Sequence, residues 1–211
     1  MVKVVLPLAA LAALAALAHH YWHGSSMPAI ATTASTIPSF EFSPHLVPAV
    51  DPIQKSVRGV SPLRVEEYVV IPTAKFQVAG RVLSAQRYRS DREADLSPID
   101  FVVGWGPMAN PDVLSKMKIS QSARFYYWHV DTFPIPAREI ELHSANMHLV
   151  PANPAVAKKL VAIDPGEQVR FKGYLLQVQA DNGWHWHSSM SRSDTGAGAC
   201  ELVLVDTIEV L

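Results

Sequence analysis

A single cysteine, Cys200, stands in 211 residues, which excludes a disulfide framework within the chain and a four-cysteine zinc site. Charge is also scarce. Eighteen Lys and Arg against 19 Asp and Glu leave a net charge of −1, without the basic excess typical of a nucleic-acid binder. There is no G-x-x-x-x-G-K, H-E-x-x-H or G-x-S-x-G, so phosphate-loop, zincin and nucleophile-elbow chemistry have no signature. Ser115-Lys116-Met117-Lys118 and Ser144-Ala145-Asn146 match the first two motifs of penicillin-binding proteins. The Lys-Thr-Gly that must accompany them is missing, and the globular part is too short for that fold. Asp194-Thr195-Gly196-Ala197 has the letters of an aspartic-protease motif, but only 15 residues follow Gly196. It reads as a glycine turn into the last strand.

What the chain does have is apolar residues, at 49%, enough to build a core. They open the sequence: Met1-Val2-Lys3 precedes an apolar run from Val4 to Ala18. As a helix that run rises roughly 22 Å, short of the roughly 30 Å hydrocarbon core of a bilayer. It fits a secretory signal peptide with Ala16-Leu17-Ala18 as the cleavage site. It equally fits an uncleaved anchor that continues through Tyr21 and Trp22 at the membrane interface. Either way residues 1–18 send the rest of the chain out of the cytoplasm, to the periplasm, released or anchored in the inner membrane. Residues 19–60 are rich in Pro, Ser, Thr and Ala and read as an extended tether. Phe40, Phe42, Leu46 and Val47 offer a clip that would dock onto the domain.

Residues 61–211 are expected to form one mainly β domain, a small barrel or sandwich with two or three short helices. Tyr68–Ile71 and Phe76–Leu83 read as strands separated by a Pro-Thr-Ala turn, and Ile99–Trp105 as another. Ile119–Val130, with its aromatic block Phe125-Tyr126-Tyr127-Trp128, suits a sheet core. Asn182-Gly183 is the preferred pair for a type I′ hairpin turn between Val169–Val178 and Trp184–Met190. Gly173 marks a bulge or a close backbone approach. Leu202–Val205 is apolar on both faces and should be buried. Asn153-Pro154 opens a helix that stops at Asp164-Pro165-Gly166. Pro111–Met117 is a shorter helical candidate, and Ala137–Met147 is ambiguous. Pro165-Gly166-Glu167-Gln168-Val169 as a strand opening suggests a barrel of the oligonucleotide/oligosaccharide-binding type.

Chemistry centres on the histidines. His185 and His187 bracket Trp186, so on a strand both imidazoles share one face, with Trp184 and Trp186 on the other. That is half of a zinc site, with His143, His148, His129 with Asp131, or Asp194 as third-ligand candidates. The plainer reading is a hydrogen-bonded or solvent-facing pair on a hairpin arm. Cys200 reads as a small buried apolar group. As a nucleophile it would need His143 or His148 brought to it as a base.

The segments Val102-Val103-Gly104-Trp105-Gly106-Pro107-Met108, His143-Ser144-Ala145-Asn146-Met147-His148, Gly173-Tyr174-Leu175 and Asp194 through Glu201 are similar to a family of uncharacterised exported or singly membrane-anchored bacterial proteins. The likeness covers roughly residues 65 to 205. It implies an envelope location and one intact domain, and it brings no assigned activity. Two functions follow. One is a non-enzymatic binding or assembly domain held near the inner membrane, its partner an envelope protein or a small ligand, with no cofactor. Its candidate surface is Trp105, Trp128, Trp184, Asn146 and Asp194. The alternative is a zinc-dependent hydrolase of cell-wall or peptide material, with His185 and His187 as ligands and His143 or His148 completing the site.

Overall fold

A computed structural model describes residues 37–211. The expectations for the leader or anchor at 1–18, and for the tether as far as residue 36, lie outside the described residues. Among the described residues no helix is long and apolar enough to cross a membrane.

The domain is mainly β, 44% strand and 15% helix. Its strands are β1 (Ile53–Ser56), β2 (Leu63–Val65), β3 (Tyr68–Arg87), β4 (Ile99–Gly104), β5 (Lys118–Ser122), β6 (Phe125–His129), β7 (Ser144–Pro151), β8 (Gln168–Ala180), β9 (His185–His187) and β10 (Glu201–Val210). Three short helices intervene: α1 (Pro111–Leu114), α2 (Ala137–Leu142) and α3 (Pro154–Ala162). Pairing runs β3–β4–β7–β10–β8 and returns from β8 to β3, so five strands form a closed ring of hydrogen-bonded neighbours. All these pairs are antiparallel except β7–β10. β1 and β2 take up the remaining edge of β3, and β9 extends β8 as the second arm of a hairpin.

Alternation along these strands sorts their residues to two faces. Phe76, Phe101, Val103, Met147, Leu149, Phe171, Val203 and Val205 form one buried cluster, joined by Val156 and Leu160 of α3. Their neighbours Tyr68, Val70, Val150, Tyr174, Leu202 and Leu204 form a second cluster, partly covered by Phe40, Trp184 and Trp186. The last strand is therefore buried on both faces, as its apolar run requires. Helix α3 follows its start signal: the Asn153 side chain accepts from the Ala155 and Val156 amides at 3.0 Å, a cap contributing about 1 kcal/mol.

Four expectations are corrected. The Asn182-Gly183 turn is not type I′: only Gly183 has a positive φ, 87°, and the Ala180 amide donates to the Trp184 carbonyl at 2.8 Å across a three-residue loop. The stretch 68–87 is one strand of 20 residues, not two. Pro72-Thr73-Ala74 makes a bulge against β8 in place of a turn, and the Thr73 carbonyl is still used, accepting from the Val57 amide at 3.0 Å. The stretch 119–130 is a hairpin, β5–β6, in its own two-stranded sheet. Its aromatic block is no sheet core, since Phe125 and Tyr127 are 40% and 54% exposed while Tyr126 and Trp128 turn inward. The tether gives way to folded chain from residue 37. Leu46 is buried, β1 pairs with β3, Phe40 meets Tyr174 edge-on at 5.6 Å, and the Lys172 ammonium bonds to the Phe40 carbonyl.

Gly173 is a close approach. A Cβ there would be driven into the Leu204 carbonyl across the β8–β10 pair, next to the irregularity between Val205 and Thr207. Backbone cannot give way as a side chain tip does. Gly173→Ala is expected to lower stability by about 3 kcal/mol or more, read as a shift in the urea midpoint. An unchanged midpoint would mean that β10 slides freely on β8.

Candidate functional site

One face of the ring carries a polar cluster inside apolar surroundings. Asp100 of β4 stands directly across from His148 of β7, and His148 pairs in register with Leu202 of β10. Extending that register by two residues sets Cys200 beside Asn146, whose Nδ2 lies 3.8 Å from Sγ. Asp100 Oδ2 lies 2.9 Å from His148 Nδ1, with both side chains at most 5% exposed. Burial alone would push the His148 imidazole down. The Asp100 carboxylate, by charge and hydrogen bond, and then the adjacent Cys200, outweigh it and hold the imidazole at about 9. Trp186 covers this face, its ring 4.9 Å from that of His148.

Arg124, at the tip of the β5–β6 hairpin, ties that hairpin to the cluster. Nε and Nη2 reach the two Asp91 oxygens at 3.0 and 2.6 Å, and Nη1 reaches Asp100 at 2.9 Å and the Ser97 carbonyl at 2.8 Å. Its guanidinium lies 3.8 Å over the Tyr88 ring. The fork satisfies both carboxylates in a way an ammonium would not. Burial would raise Asp91, but Arg124 and the Ala94 amide hold it below the ordinary carboxylate value.

Between the hairpin and the loop 191–200 lies a cleft of about 370 Å³. Tyr126, Trp128 and Trp105 wall one side. Arg192, Asp194 and Glu201 form the other, and Ser144, Asn146 and Cys200 also border it. Glu201 is fully buried, with Arg192 Nη1 at 3.0 Å from Oε1, while Oε2 has no hydrogen-bond partner. Burial pushes its carboxyl up, Arg192 pulls it back, and the balance rests at about 7. Asp194, exposed at the rim, accepts from Ser189 Oγ at 2.7 Å.

The residues singled out from sequence scatter over the domain. Asn146, Trp128 and Asp194 meet at the cleft. Trp105 meets them too, but as a buried wall and not an exposed patch: it is 1% exposed and its indole N–H donates to Asp51 at 3.2 Å. Trp184 lies elsewhere, packed on Tyr68 at 5.8 Å under the Arg92 guanidinium. His185 and His187 share the exposed face of β9 and border a shallow hollow with Thr73 and Met190. His148 is on the far side of Trp186 from that face, and His143 is engaged with the Glu139 carbonyl at 2.9 Å. The four histidines therefore do not converge. Among the described residues no group of three or more His, Cys, Asp or Glu is arranged to hold a metal. Cys200 is half-buried at the cleft and not sealed in a core; its thiol donates to the Arg124 carbonyl at 3.9 Å and lies 3.8 Å from Asn146 Nδ2, with His148 and not His143 next along β7 on that face.

Asp100, Arg124 and Arg192 escaped the sequence reading, and Glu201 entered it only as the end of the segment Asp194 through Glu201. Two carried a signal: Asp100 is a lone acid inside Ile99–Val103, and Glu201 opens the apolar run of the last strand. A charge in such a run marks either an edge or a buried partner. Arg124 carried none. The segments 144–146 and 194–201, both within the stretches likened to the envelope family, line the same cleft. No family model matches the chain, and no curated protein matches it.

Proposed function

We propose that this chain is an exported bacterial envelope protein whose domain binds a small ligand in the cleft between the β5–β6 hairpin and the loop 191–200. The ring order, with a parallel pair between the third and fifth strands and a helix between the third and fourth, supports reading it as a small barrel of the oligonucleotide/oligosaccharide-binding type. The charge balance speaks against an oligonucleotide. Lys3 ahead of the apolar run supports export, and the likeness of residues 65 to 205 to exported or anchored bacterial proteins supports the envelope.

The observation that carries the reading is the cleft itself. Its volume is that of a small-molecule site, with aromatic rings on one wall and convergent polar groups on the other. A ligand with a flat or ring-shaped face and several hydrogen-bond donors matches it, one donor meeting the unpartnered Glu201 Oε2. Muropeptides, amino sugars joined to short peptides, have both features and occur in the envelope. The full chain titrated with a muropeptide should show a saturable change in tryptophan fluorescence. Tyr126→Ala and Arg192→Ala should each weaken binding about tenfold or more, the range of a lost aromatic or charged contact. Equal binding by the variants, or none by the wild type, would sink the muropeptide assignment.

A further inference from the structure

The cleft holds more than a binding surface. Cys200 borders it, the β7–β10 register sets Cys200 beside Asn146 and two residues from the position of His148, and Asp100 Oδ2 lies 2.9 Å from His148 Nδ1. Three strands fix these side chains: β4 carries Asp100, β7 carries His148, and Cys200 immediately precedes β10. This is the order nucleophile, base, orienting carboxylate that recurs on unrelated folds, and it is recognised by geometry and not by sequence position. Asn146 adds an amide 3.8 Å from the sulfur, itself held by the Arg124 carbonyl at 2.9 Å.

We propose that Cys200 is a nucleophile that takes the acyl group of a thioester or activated ester bound in the cleft, with His148 as its proton partner and Asp100 as a positioning residue. In the reactive form the thiol proton already rests on the His148 imidazole, and the sulfur attacks the acyl carbon. A carbon–sulfur bond forms, the bond to the leaving group breaks, and the leaving group departs with the proton from His148. A thiol and an acyl donor become a thioester and the released alcohol or thiol, with no change of oxidation state. The aromatic wall lies where an acyl chain or aryl leaving group would rest, and Arg192 and Asn146 face it from the polar side.

His148 is suited to this role by its surroundings. Asp100 faces it from β4, Cys200 from the start of β10 and Trp186 from β9, while Asp91, Arg124 and Glu201 are the charged groups next in line. Between an aspartate and a thiol, the imidazole is fixed in orientation and holds its proton, as in cysteine nucleophiles paired with histidine.

The inference goes beyond ligand binding, and its test needs no natural ligand. The full chain is treated with p-nitrophenyl acetate, followed by release of p-nitrophenolate and intact mass. The wild type should give a burst of one equivalent and one acetyl group, mapped to Cys200, and Cys200→Ser should give neither. Iodoacetamide at pH 7 should alkylate Cys200 about tenfold or more faster than a cysteine peptide. His148→Gln should return that rate to the peptide's and move its pH profile to higher pH, and Asp100→Asn should do so in part. Should either variant fail to fold, the wild-type burst and alkylation rate decide alone. A burst that survives Cys200→Ser, or alkylation no faster than the peptide, overturns the proposal and leaves muropeptide binding untouched. Failed muropeptide binding beside a full burst would overturn the muropeptide assignment and not this one.

Discussion

Arg124→Ala is expected to destabilise the domain by about 3–5 kcal/mol, the range for removing one partner of a buried ion pair. Its side chain is 12% exposed and its Asp100 partner fully buried, so the lost charge is not replaced by water. Two costs combine. Asp100 and Asp91 lose a shared counter-charge, and the Ser97 carbonyl loses a donor. The hairpin also loses what holds its turn, because Ala123 and Arg124 sit at φ 49° and 68°, a region that disfavours side chains with a Cβ. Arg124→Gly separates the two. Glycine removes the same contacts without the backbone penalty, so it should be about 1 kcal/mol more stable than Arg124→Ala. Arg124→Lys keeps the charge but not the fork and should fall between wild type and alanine. Urea unfolding reads all three, and a loss under 1 kcal/mol for alanine would show that apolar packing alone seats the hairpin.

That residue also shows where sequence reading stops. A two-residue hairpin turn with both φ values positive is normally written Asn-Gly or Asp-Gly; the Asn182-Gly183 pair marks the β8–β9 hairpin correctly, although there only Gly183 takes a positive φ, in a three-residue loop. At Ala123-Arg124 the turn is enforced by Asp91, Asp100 and Tyr88, which are distant in sequence, so the segment read as one unbroken strand. Locally encoded features were legible for the same reason: the Asn153 cap, the Gly173 approach and the doubly apolar last strand all state their physics within a few residues. Pro72 misled because a proline reads as a stop unless a bulge absorbs its missing N–H. Strand β7 hid behind a helical start at Ala137, and closure of the ring depends on pairs such as Gly80 with Val169 that no local pattern marks. For the site, His148, Asn146, Cys200 and Asp194 were each named. That His148 lies on the Cys200 side of Trp186 and apart from His185 shows only in the fold, where the Trp186 ring lies 4.9 Å from the imidazole.

Stability should fall as pH rises from about 4.5 to about 9, in two overlapping windows set by Glu201 and His148. The sign follows from comparing folded and ordinary values. His148 is held at about 9 against an ordinary 6.5, because Asp100 and Cys200 outweigh the burial that would lower it. The folded protein therefore binds that proton more tightly than the unfolded chain. Its stabilisation is complete below 6.5 and is lost as pH climbs through 9. Glu201 is raised to about 7 from 4.5 by burial, with Arg192 only partly opposing it, so its stabilisation is complete below 4.5 and lost through 7. Asp91, held below its ordinary value of 3.8 against the pull of burial, works in the opposite direction, but only in more acid solution. Each window amounts to about 3 kcal/mol, since a tenfold change in proton affinity is about 1.4 kcal/mol. Each would lower the melting temperature by roughly 6–12 °C in a domain of this size. Melting curves of the full chain at half-unit pH steps read both. His148→Gln should flatten the limb between 6.5 and 9, and Glu201→Gln the limb between 4.5 and 7, each leaving the other in place. A wild-type melting temperature that rises between pH 5 and 8 would contradict the assignment, because it would require carboxylates that favour the charged form to outweigh both groups. Loss of the upper limb in Glu201→Gln as well would show that Glu201 and His148 titrate as one unit across β10, joined through the backbone that carries Cys200.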